Sequence, residues 1–214
     1  MPRASRRPRP TLVLFVRHGQ TATTGQLLPG RAAGLHLADA GKAQAQAAAD
    51  AIATLSKVDA VYSSPLERAR ETAAPIAAAR GLKVKVERGL LELDVGDWTG
   101  EELKKLRRTP EWKAVQQYPS GFRFPSGESF VELQARIVGT IDRLVAAHPG
   151  GTVVAVSHAD TIKAAVVHAL GAHLDHFQRV TISPCSVTAI AYGELGPMVL
   201  NVNWVPALLS SKPS

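Results

Sequence analysis

The chain has 214 residues, of which 45% are hydrophobic and 20% charged, a composition typical of one globular domain. No apolar run approaches the length of a membrane span, so we expect no membrane partner. The formal net charge is +7, and four of the positive charges lie within the first ten residues. The single cysteine, Cys185, excludes an internal disulfide framework and favours a cytoplasmic location, with the thiol buried as a small apolar group.

The two ends of the chain are set apart from a central domain. Residues 1–10 combine four arginines with three prolines, which predicts a disordered basic tail. Such a tail permits nonspecific contact with nucleic acid, but we expect no specific nucleic-acid partner. We place a single domain over residues 11–206, with an insertion at about 89–127, and a short C-terminal tail over 207–214.

Taken in chain order, the predicted elements alternate between strands and helices. Residues 12–16 are an uninterrupted apolar run, typical of a strand buried on both faces. This alternation predicts an α/β fold, a three-layer α/β/α sandwich with a mostly parallel central sheet. The other strands are predicted over 59–63, 83–86, 152–156, 186–192 and 198–204, and the helices over about 37–55, 66–80, 103–108, 129–148 and 161–170.

Three of these strands end in polar residues. Because the carboxyl ends of parallel strands meet at one edge of a sheet, we expect these residues to converge. Arg68 lies one helical turn beyond the second strand, near the positive end of its helix. Two guanidinium groups, two imidazoles and a helix N-terminus together form a pocket suited to a phosphate dianion. The three strand ends are Arg17-His18, Ser63-Ser64 and Ser157-His158.

Each of these residues also has an ordinary structural explanation. An arginine and a histidine after a strand more often form a surface loop, and a histidine such as His158 is more often a satisfied buried side chain. Gly19 allows the backbone to approach a ligand closely. The prediction of a phosphate pocket therefore depends on the whole set of residues at the strand ends, and not on any single one.

Four segments, taken together and in order, resemble the motifs of the histidine phosphatase superfamily, also called the phosphoglycerate mutase-like family. The resemblance covers nearly the whole chain after the basic tail. It maps the second arginine of the family to Arg68, its acid to Glu92 and its second histidine to His158. The segments are RHGQT at 17–21, SSPLERARET at 63–72, LELDVGDWTG at 91–100 and VSHA at 156–159.

The resemblance implies a role for each residue of the site. His18 would attack phosphorus through a neutral ring nitrogen and form a phosphohistidine, while Arg17, Arg68 and His158 hold the phosphoryl oxygens. Glu92 would protonate the leaving alkoxide and then activate water. Since cations of the protein stand where a metal often stands, the resemblance implies no metal and no cofactor. The further implied substrate contacts are Gly19, Gln20 and Thr21.

Several neighbouring residues compete for these roles. Asp94 is expected to be a turn residue or a salt-bridge partner, while the spacing to Gly96 and Trp98 favours Glu92 as the acid. Arg70, two residues after the preferred arginine, would face away on a helix. The remaining competitors for the acid are Glu101 and Glu102.

Other positions leave alternatives open. Thr21 either bonds the phosphate or caps its turn, and Thr24 departs from an asparagine found in many members of the family. The insertion at 89–127 is expected to cover the site partly, or to form a helical subdomain with its own small core. A group of possible ligands near residue 170 has a spacing that matches no zinc pattern and is more typical of helix ends. That group is His168, His173, Asp175 and His176, and the arginines expected near the entrance are Arg107, Arg108 and Arg123.

The sequence therefore predicts a cytoplasmic, metal-independent phosphomonoesterase that acts on a small phosphorylated metabolite. One alternative is a phosphomutase of the same fold, although the chain is short for a glycolytic mutase. An alternative of another class is a non-catalytic regulator that binds a phosphorylated ligand. The last two strands offer an edge for pairing, which is compatible with a homodimer and equally with a monomer.

Overall fold

Six strands form the central sheet of the computed structural model, which describes residues 9–206 of the chain. They are β1 (Thr11–Arg17), β2 (Ala60–Ser63), β3 (Val84–Val86), β4 (Thr152–Ser157), β5 (Val187–Gly193) and β6 (Gly196–Trp204). Their order is β3-β2-β4-β1-β5-β6, with β1 to β4 parallel and antiparallel pairs at β1–β5 and β5–β6. This confirms the mostly parallel sheet. Most of the N-terminal tail and all of the C-terminal tail lie outside the described residues.

Helices cover both faces of this sheet. They are α1 (Asp39–Ala53), α2 (Glu67–Ala79), α3 (Leu103–Leu106), α4 (Pro110–Gln117), α5 (Phe130–Ala147) and α6 (Ala159–Ala169). Along β1, Val13 and Phe15 pack with α5 and α6, whereas Leu14 and Val16 pack with α1 and α2. This alternation confirms the three-layer α/β/α sandwich. Among the described helices none combines the length and the apolar character needed to cross a membrane.

The N-terminus of α5 is closed by a capping box. The Ser129 hydroxyl accepts from the Glu132 backbone N–H at 3.2 Å, and the Glu132 carboxylate accepts from the Ser129 N–H at 2.9 Å. Behind the cap, one face of the helix is buried at Leu133, Ile137 and Ile141. The 3.6-residue stripe therefore fixes which face of α5 lies on the sheet.

The insertion is built from short elements that share the core of the domain. Trp98 stacks on Trp112 with ring centroids 6.4 Å apart and meets Phe124 edge to face at 5.2 Å. Phe124 in turn contacts Phe130 of α5 at 5.6 Å, and Phe130 contacts Phe177 at 5.0 Å. The aromatic cluster is thus continuous with the main core, and not the separate core of a subdomain.

The two edges of the sheet differ in character. β3 forms one edge, is only three residues long and carries Lys85 between two valines. β6 forms the other edge and leaves a row of alternate apolar side chains exposed. That row is Met198, Leu200, Val202 and Trp204.

Candidate active site

The carboxyl ends of β1 and β4 bring the two predicted histidines together. Arg17 lies opposite Ser157 in the register of the sheet, so that His18 and His158 leave it at the same edge. The centroids of the two imidazole rings are 5.1 Å apart, with the rings inclined at 61°. Both histidines are buried, with 6% of His18 and none of His158 exposed.

The buried ring of His18 is held in one tautomer. Its Nδ1 lies 2.7 Å from the Gly19 carbonyl oxygen, which can only accept, so Nδ1 carries the proton and Nε2 keeps its lone pair. Burial lowers the pKa of His18 to about 3, and the positive charges of Arg17 and Arg68 contribute to this shift. The imidazole is therefore neutral at ordinary pH. The acceptor, which the sequence left unidentified, is the next residue along the chain.

Gly19 is required for packing against a helix. A Cβ atom on Gly19 would lie 2.6 Å from the carbonyl oxygen of Gly41 in α1, and a Cβ on Gly41 would lie 2.1 Å from the Gln20 carbonyl oxygen. The Gly19 N–H donates to the Thr72 hydroxyl at 3.0 Å. The close contact that Gly19 makes in the structure is therefore with α1, and its approach to a ligand stays a prediction.

Arg68 is fully buried and Arg17 is partly buried, and both guanidinium groups are only partly paired. Arg17 donates through Nη1 to the Ile182 carbonyl at 2.7 Å, and Arg68 donates to the carbonyls of Gly30 and Ala32 at 2.7 and 3.2 Å. Burial lowers the pKa of each guanidinium, yet both stay charged. Within the described part of the chain, the Nε donor of each arginine is buried without a hydrogen-bond partner. Two positively charged donors are therefore held in place beside the histidines.

The structure separates Arg68 and Glu92 from their competitors. Arg68 is fully buried, whereas Arg70 is exposed, as its position on the helix predicted. Asp94 is both a turn residue and a salt-bridge partner, since it accepts from the Gly96 N–H at 3.1 Å and pairs with Arg31 at 3.1 Å. The two other acids, Glu101 and Glu102, are exposed.

The Glu92 carboxyl group is half-buried and short of ionic partners. Its Oε1 accepts from the Leu93 N–H at 2.9 Å and lies 3.4 Å from the Thr161 hydroxyl. Burial raises the pKa of Glu92 to about 7, and the negative charge of Asp160 acts in the same direction. At neutral pH this group is therefore divided between a form that gives a proton and a form that takes one.

Two arginines that the sequence did not single out hold the backbone of Glu92. Arg136 donates to the carbonyls of Leu91 and Glu92 at 2.9 and 3.2 Å, and Arg31 donates to the Glu92 carbonyl at 2.9 Å. The Glu128 carboxylate pairs with both arginines, at 2.9 and 2.8 Å. No local pattern reveals this arrangement, because Arg31 and Glu92 lie far in the sequence from Glu128 and Arg136.

His158 is bonded through one ring nitrogen. Its Nε2 lies 2.8 Å from the Ser64 hydroxyl, and its Nδ1 is buried without a partner in the part of the chain that the structure describes. Burial holds the pKa of His158 well below its usual value, and the nearby charges of Arg17 and Arg68 act in the same direction. The ring is thus neutral and carries one proton.

The loop after His18 is tied down through its backbone. The Gln20 N–H donates to the Gln44 side chain at 3.0 Å, and the Thr21 N–H donates to the Thr24 hydroxyl at 2.9 Å. The Thr21 and Thr24 hydroxyls are 3.0 Å apart, so Thr24 closes this turn at the position where the family often has asparagine. The Thr21 hydroxyl thus takes part in this turn, and its contact with phosphate stays a prediction.

Arg123 lies at the start of α5 and not at a free entrance. Its guanidinium pairs with Glu132 of the capping box and donates to the Gly127 carbonyl at 3.0 Å. The Arg123 guanidinium is thus paired within the start of α5, and a contact with substrate stays a prediction.

The histidines near residue 170 lie at helix ends, as their spacing predicted. His168 is in the last turn of α6, and His173 caps the 3₁₀ turn Leu174–Arg179 by accepting from the Asp175 N–H at 3.3 Å. Over residues 9–206, no group of three or more His, Cys, Asp or Glu side chains is arranged to hold a metal ion.

The fold and the site define a class: α/β proteins with a buried cationic pocket at the carboxyl ends of parallel strands. The model of the histidine phosphatase superfamily, branch 1, matches residues 13–205, which include every strand end described above. The chain belongs to this superfamily, as its motifs indicated.

Known proteins of similar sequence and structure include named phosphatases. Phosphoserine phosphatase 1 of Hydrogenobacter thermophilus is 30% identical over 196 residues, covering 89% of this chain and 91% of that protein. The structure of a mycobacterial glucosyl-3-phosphoglycerate phosphatase has a TM-score of 0.82 and 25% sequence identity to this chain. The match covers 92% of this chain and 100% of that one. A protein of Mycobacterium tuberculosis named as bifunctional is 36% identical over 155 residues, covering 72% of this chain and only 43% of that protein. The chain thus spans less than half the length of this last relative.

Proposed function

We propose that the chain is a metal-independent phosphomonoesterase that forms a phosphohistidine on His18. The observation that carries the proposal is the hydrogen bond from His18 Nδ1 to the Gly19 carbonyl. It leaves Nε2 as a neutral nucleophile beside the partly buried guanidinium of Arg17 and the fully buried guanidinium of Arg68. The two guanidinium groups attract a dianionic phosphoryl group to this position. There the phosphorus meets His18 Nε2, which carries no proton and can attack it.

In the first step, a bond forms between His18 Nε2 and phosphorus while the ester P–O bond breaks. Arg17, Arg68 and His158 stabilise the negative charge on the phosphoryl oxygens. The leaving alkoxide takes a proton from Glu92 and departs as an alcohol. The unpartnered Nε donors of the two arginines support this assignment.

In the second step, water replaces the alcohol. The Glu92 carboxylate left by the first step accepts a proton from water as the oxygen bonds to phosphorus and the N–P bond breaks. Inorganic phosphate leaves, and His18 returns to its neutral form. A pKa of about 7 suits Glu92 to both halves of this cycle.

The substrate in this proposal is a small phosphorylated metabolite. Two of the similar proteins carry the names phosphoserine phosphatase and glucosyl-3-phosphoglycerate phosphatase, which supports hydrolysis of a phosphate monoester. A phosphomutase would use the same two steps with a hydroxyl group of the substrate in place of water.

The test is hydrolysis of p-nitrophenyl phosphate in excess EDTA, followed for wild type, His18→Ala and the control His176→Ala. His176 is an exposed histidine on the 3₁₀ turn. We expect full activity in EDTA for wild type and for the control, and only background for His18→Ala. Mass spectrometry of the enzyme mixed with substrate then tests for phosphohistidine on His18. Because phosphohistidine is acid-labile, the sample is kept at neutral or alkaline pH.

Four results would contradict the proposal. Activity that disappears in EDTA would require a metal, and activity that survives in His18→Ala would remove the nucleophile. Transfer of phosphate to a second hydroxyl, with no release of inorganic phosphate, would indicate a mutase. Binding of phosphorylated compounds without any turnover would indicate the regulator.

A further inference from the structure

Ser64 is a fully buried residue placed between the strand ends. It follows β2, and its backbone N–H donates to the Val156 carbonyl of β4 at 2.9 Å, so its position is fixed relative to His158. The 2.8 Å contact between Ser64 Oγ and His158 Nε2 is a normal hydrogen-bond length. Since both atoms can donate or accept, the length alone leaves the direction of the bond open.

The neighbour of the Ser64 hydroxyl decides this direction. The Leu66 backbone N–H points at Ser64 Oγ at 3.4 Å, and a backbone N–H can only donate. If His158 Nε2 also donated, the Ser64 proton would have no acceptor among residues 9–206, at a site with no solvent exposure. The Ser64 hydroxyl therefore donates to Nε2 while it accepts from Leu66.

The direction of this bond fixes the proton of the His158 ring. A neutral imidazole has one ring proton, and a nitrogen that accepts a hydrogen bond does not carry it. With Nε2 accepting from Ser64, the proton lies on Nδ1, the buried atom that has no partner within the described chain.

We propose that Ser64 is a positioning residue that keeps the His158 proton on Nδ1 and so makes this neutral ring a hydrogen-bond donor to the phosphoryl oxygens. The inference rests on the proposed function, because it assumes that a phosphoryl group binds between the two histidines. In the other tautomer, Nδ1 would turn a lone pair toward the negative oxygens and repel them. Ser64 acts through His158 and does not itself touch the substrate.

The tautomer is measured by two-dimensional ¹H–¹⁵N spectroscopy of the imidazole nitrogens in the free enzyme, with the His158 signals assigned from their loss in His158→Asn. We expect a protonated Nδ1 in wild type and in Ser64→Thr, and a shift toward protonated Nε2 in Ser64→Ala. Ser63→Ala is the matched control, because Ser63 is equally buried but donates to the Ser64 carbonyl at 2.9 Å and not to His158. The His158 signals of Ser63→Ala should match those of the wild type.

A protonated Nε2 on His158 in the wild type would overturn the inference, whatever the enzyme turns over. The His18 ring serves as an internal reference, since its Nδ1 donates to the Gly19 carbonyl in the wild type and none of the variants at Ser63 or Ser64 removes either group. Because the spectrum is recorded without substrate, this failure is distinct from a failure of the proposed function. If Ser64→Ala does not fold, the wild type and Ser64→Thr still decide the question.

Kinetics then test the consequence for the reaction. Loss of one donor to a charged transition state costs about 10²–10³ in kcat, and we expect a smaller loss of about tenfold for Ser64→Ala because the ring itself remains. Ser64→Thr should restore kcat. An unchanged kcat in a Ser64→Ala protein whose tautomer has shifted would show that the His158 proton does not serve the reaction.

Discussion

Glu128 accepts two hydrogen bonds from the guanidinium of Arg136, at 3.0 Å from Nε and 2.9 Å from Nη2. The same guanidinium donates to the backbone carbonyl of Glu92. The proposed acid is therefore held through its main chain by an ion pair, while its own carboxyl group has no ionic partner among residues 9–206. Such a two-point contact orients an arginine more strictly than a single contact would.

Arg136→Lys should weaken both stability and activity. A lysine ammonium cannot reproduce the planar fork, so at least one carbonyl and one carboxylate oxygen lose their donor. We expect the free energy of unfolding to fall by about 1–3 kcal/mol and kcat to fall about tenfold. Urea unfolding and steady-state kinetics measure these effects.

Arg143→Lys is the matched control for this variant. Arg143 lies two turns further along α5, is 62% exposed in its side chain, and pairs with Glu87 at 3.2 Å. An exposed pair of this kind contributes little to stability. Equal losses of stability and of kcat in Arg136→Lys and Arg143→Lys would show that the contacts of Arg136 with the Glu92 backbone are not needed for activity.

The pH dependence should vary with the leaving group of the substrate. Glu92 must be protonated to act as an acid, and its pKa is raised to about 7. For an alkyl phosphate, whose alkoxide needs a proton, we expect kcat/KM to fall with rising pH above about 7, approaching tenfold per pH unit. For p-nitrophenyl phosphate, whose phenolate leaves without full protonation, the fall should be shallower.

Glu92→Gln checks the origin of this dependence. The amide does not titrate, so the variant should lose most activity on the alkyl phosphate and show no fall above pH 7. Identical pH profiles in wild type and Glu92→Gln would assign the titration to another group.

Glu92→Gln should also become more stable than wild type as the pH rises. The folded pKa of Glu92 lies above its unfolded value, so the folded state binds more protons between the two pKa values and its stability falls as pH increases through that range. Removal of the carboxyl group removes this loss. We expect a gain of about 1–3 kcal/mol at pH 8 and little gain at pH 4.5.

Urea unfolding at several pH values measures this gain, with Glu101→Gln as the control on an exposed carboxylate. A gain that is the same at all pH values, or that also occurs in Glu101→Gln, would refute the explanation by titration of Glu92.

Two helical glycines should respond in opposite ways to alanine. In Gly41→Ala the new Cβ would lie 2.1 Å from the Gln20 carbonyl oxygen, so the backbone must shift. We expect a loss of about 1–3 kcal/mol in the free energy of unfolding and a lower melting temperature. In Gly139→Ala of α5, the nearest atom is the flexible end of Arg143 at 3.9 Å. There the better helix propensity of alanine should add about 0.4–1 kcal/mol.

Differential scanning calorimetry of both variants makes the comparison. Destabilisation by both substitutions, to a similar degree, would contradict the close packing of α1 on the His18 loop.

The residues at the strand ends were predictable because their placement follows from local pattern. An apolar run followed at once by Arg17 and His18 places both at the edge of a parallel sheet. The choice of Arg68 over Arg70 followed from the motif spacing, and helical periodicity agreed with it. Motif spacing added Glu92, whose competitors are exposed or bonded elsewhere.

The contacts that hold those residues were not predictable in the same way. The clamp of Arg31, Glu128 and Arg136 joins positions as much as 105 residues apart, so it depends on tertiary packing and leaves no periodic signal. Ser64 was visible only as a polar residue after a strand. The predicted start of α6 at 161 was late by two residues, because His158 is already its N-cap and Asp160 favours the positive first turn.

The contact between Gly19 and Gly41 has a mechanical consequence. The backbone that follows His18 rests on the backbone of α1 with no side chain between them, and the Ala38 N–H at the start of that helix donates to the Gln20 carbonyl at 2.9 Å. A shift of the histidine loop would therefore require a shift of α1 as well. Further along the same loop, residues 26–28 are hydrogen-bonded to the insertion at 100–103, so the segment after His18 is joined to both α1 and the insertion.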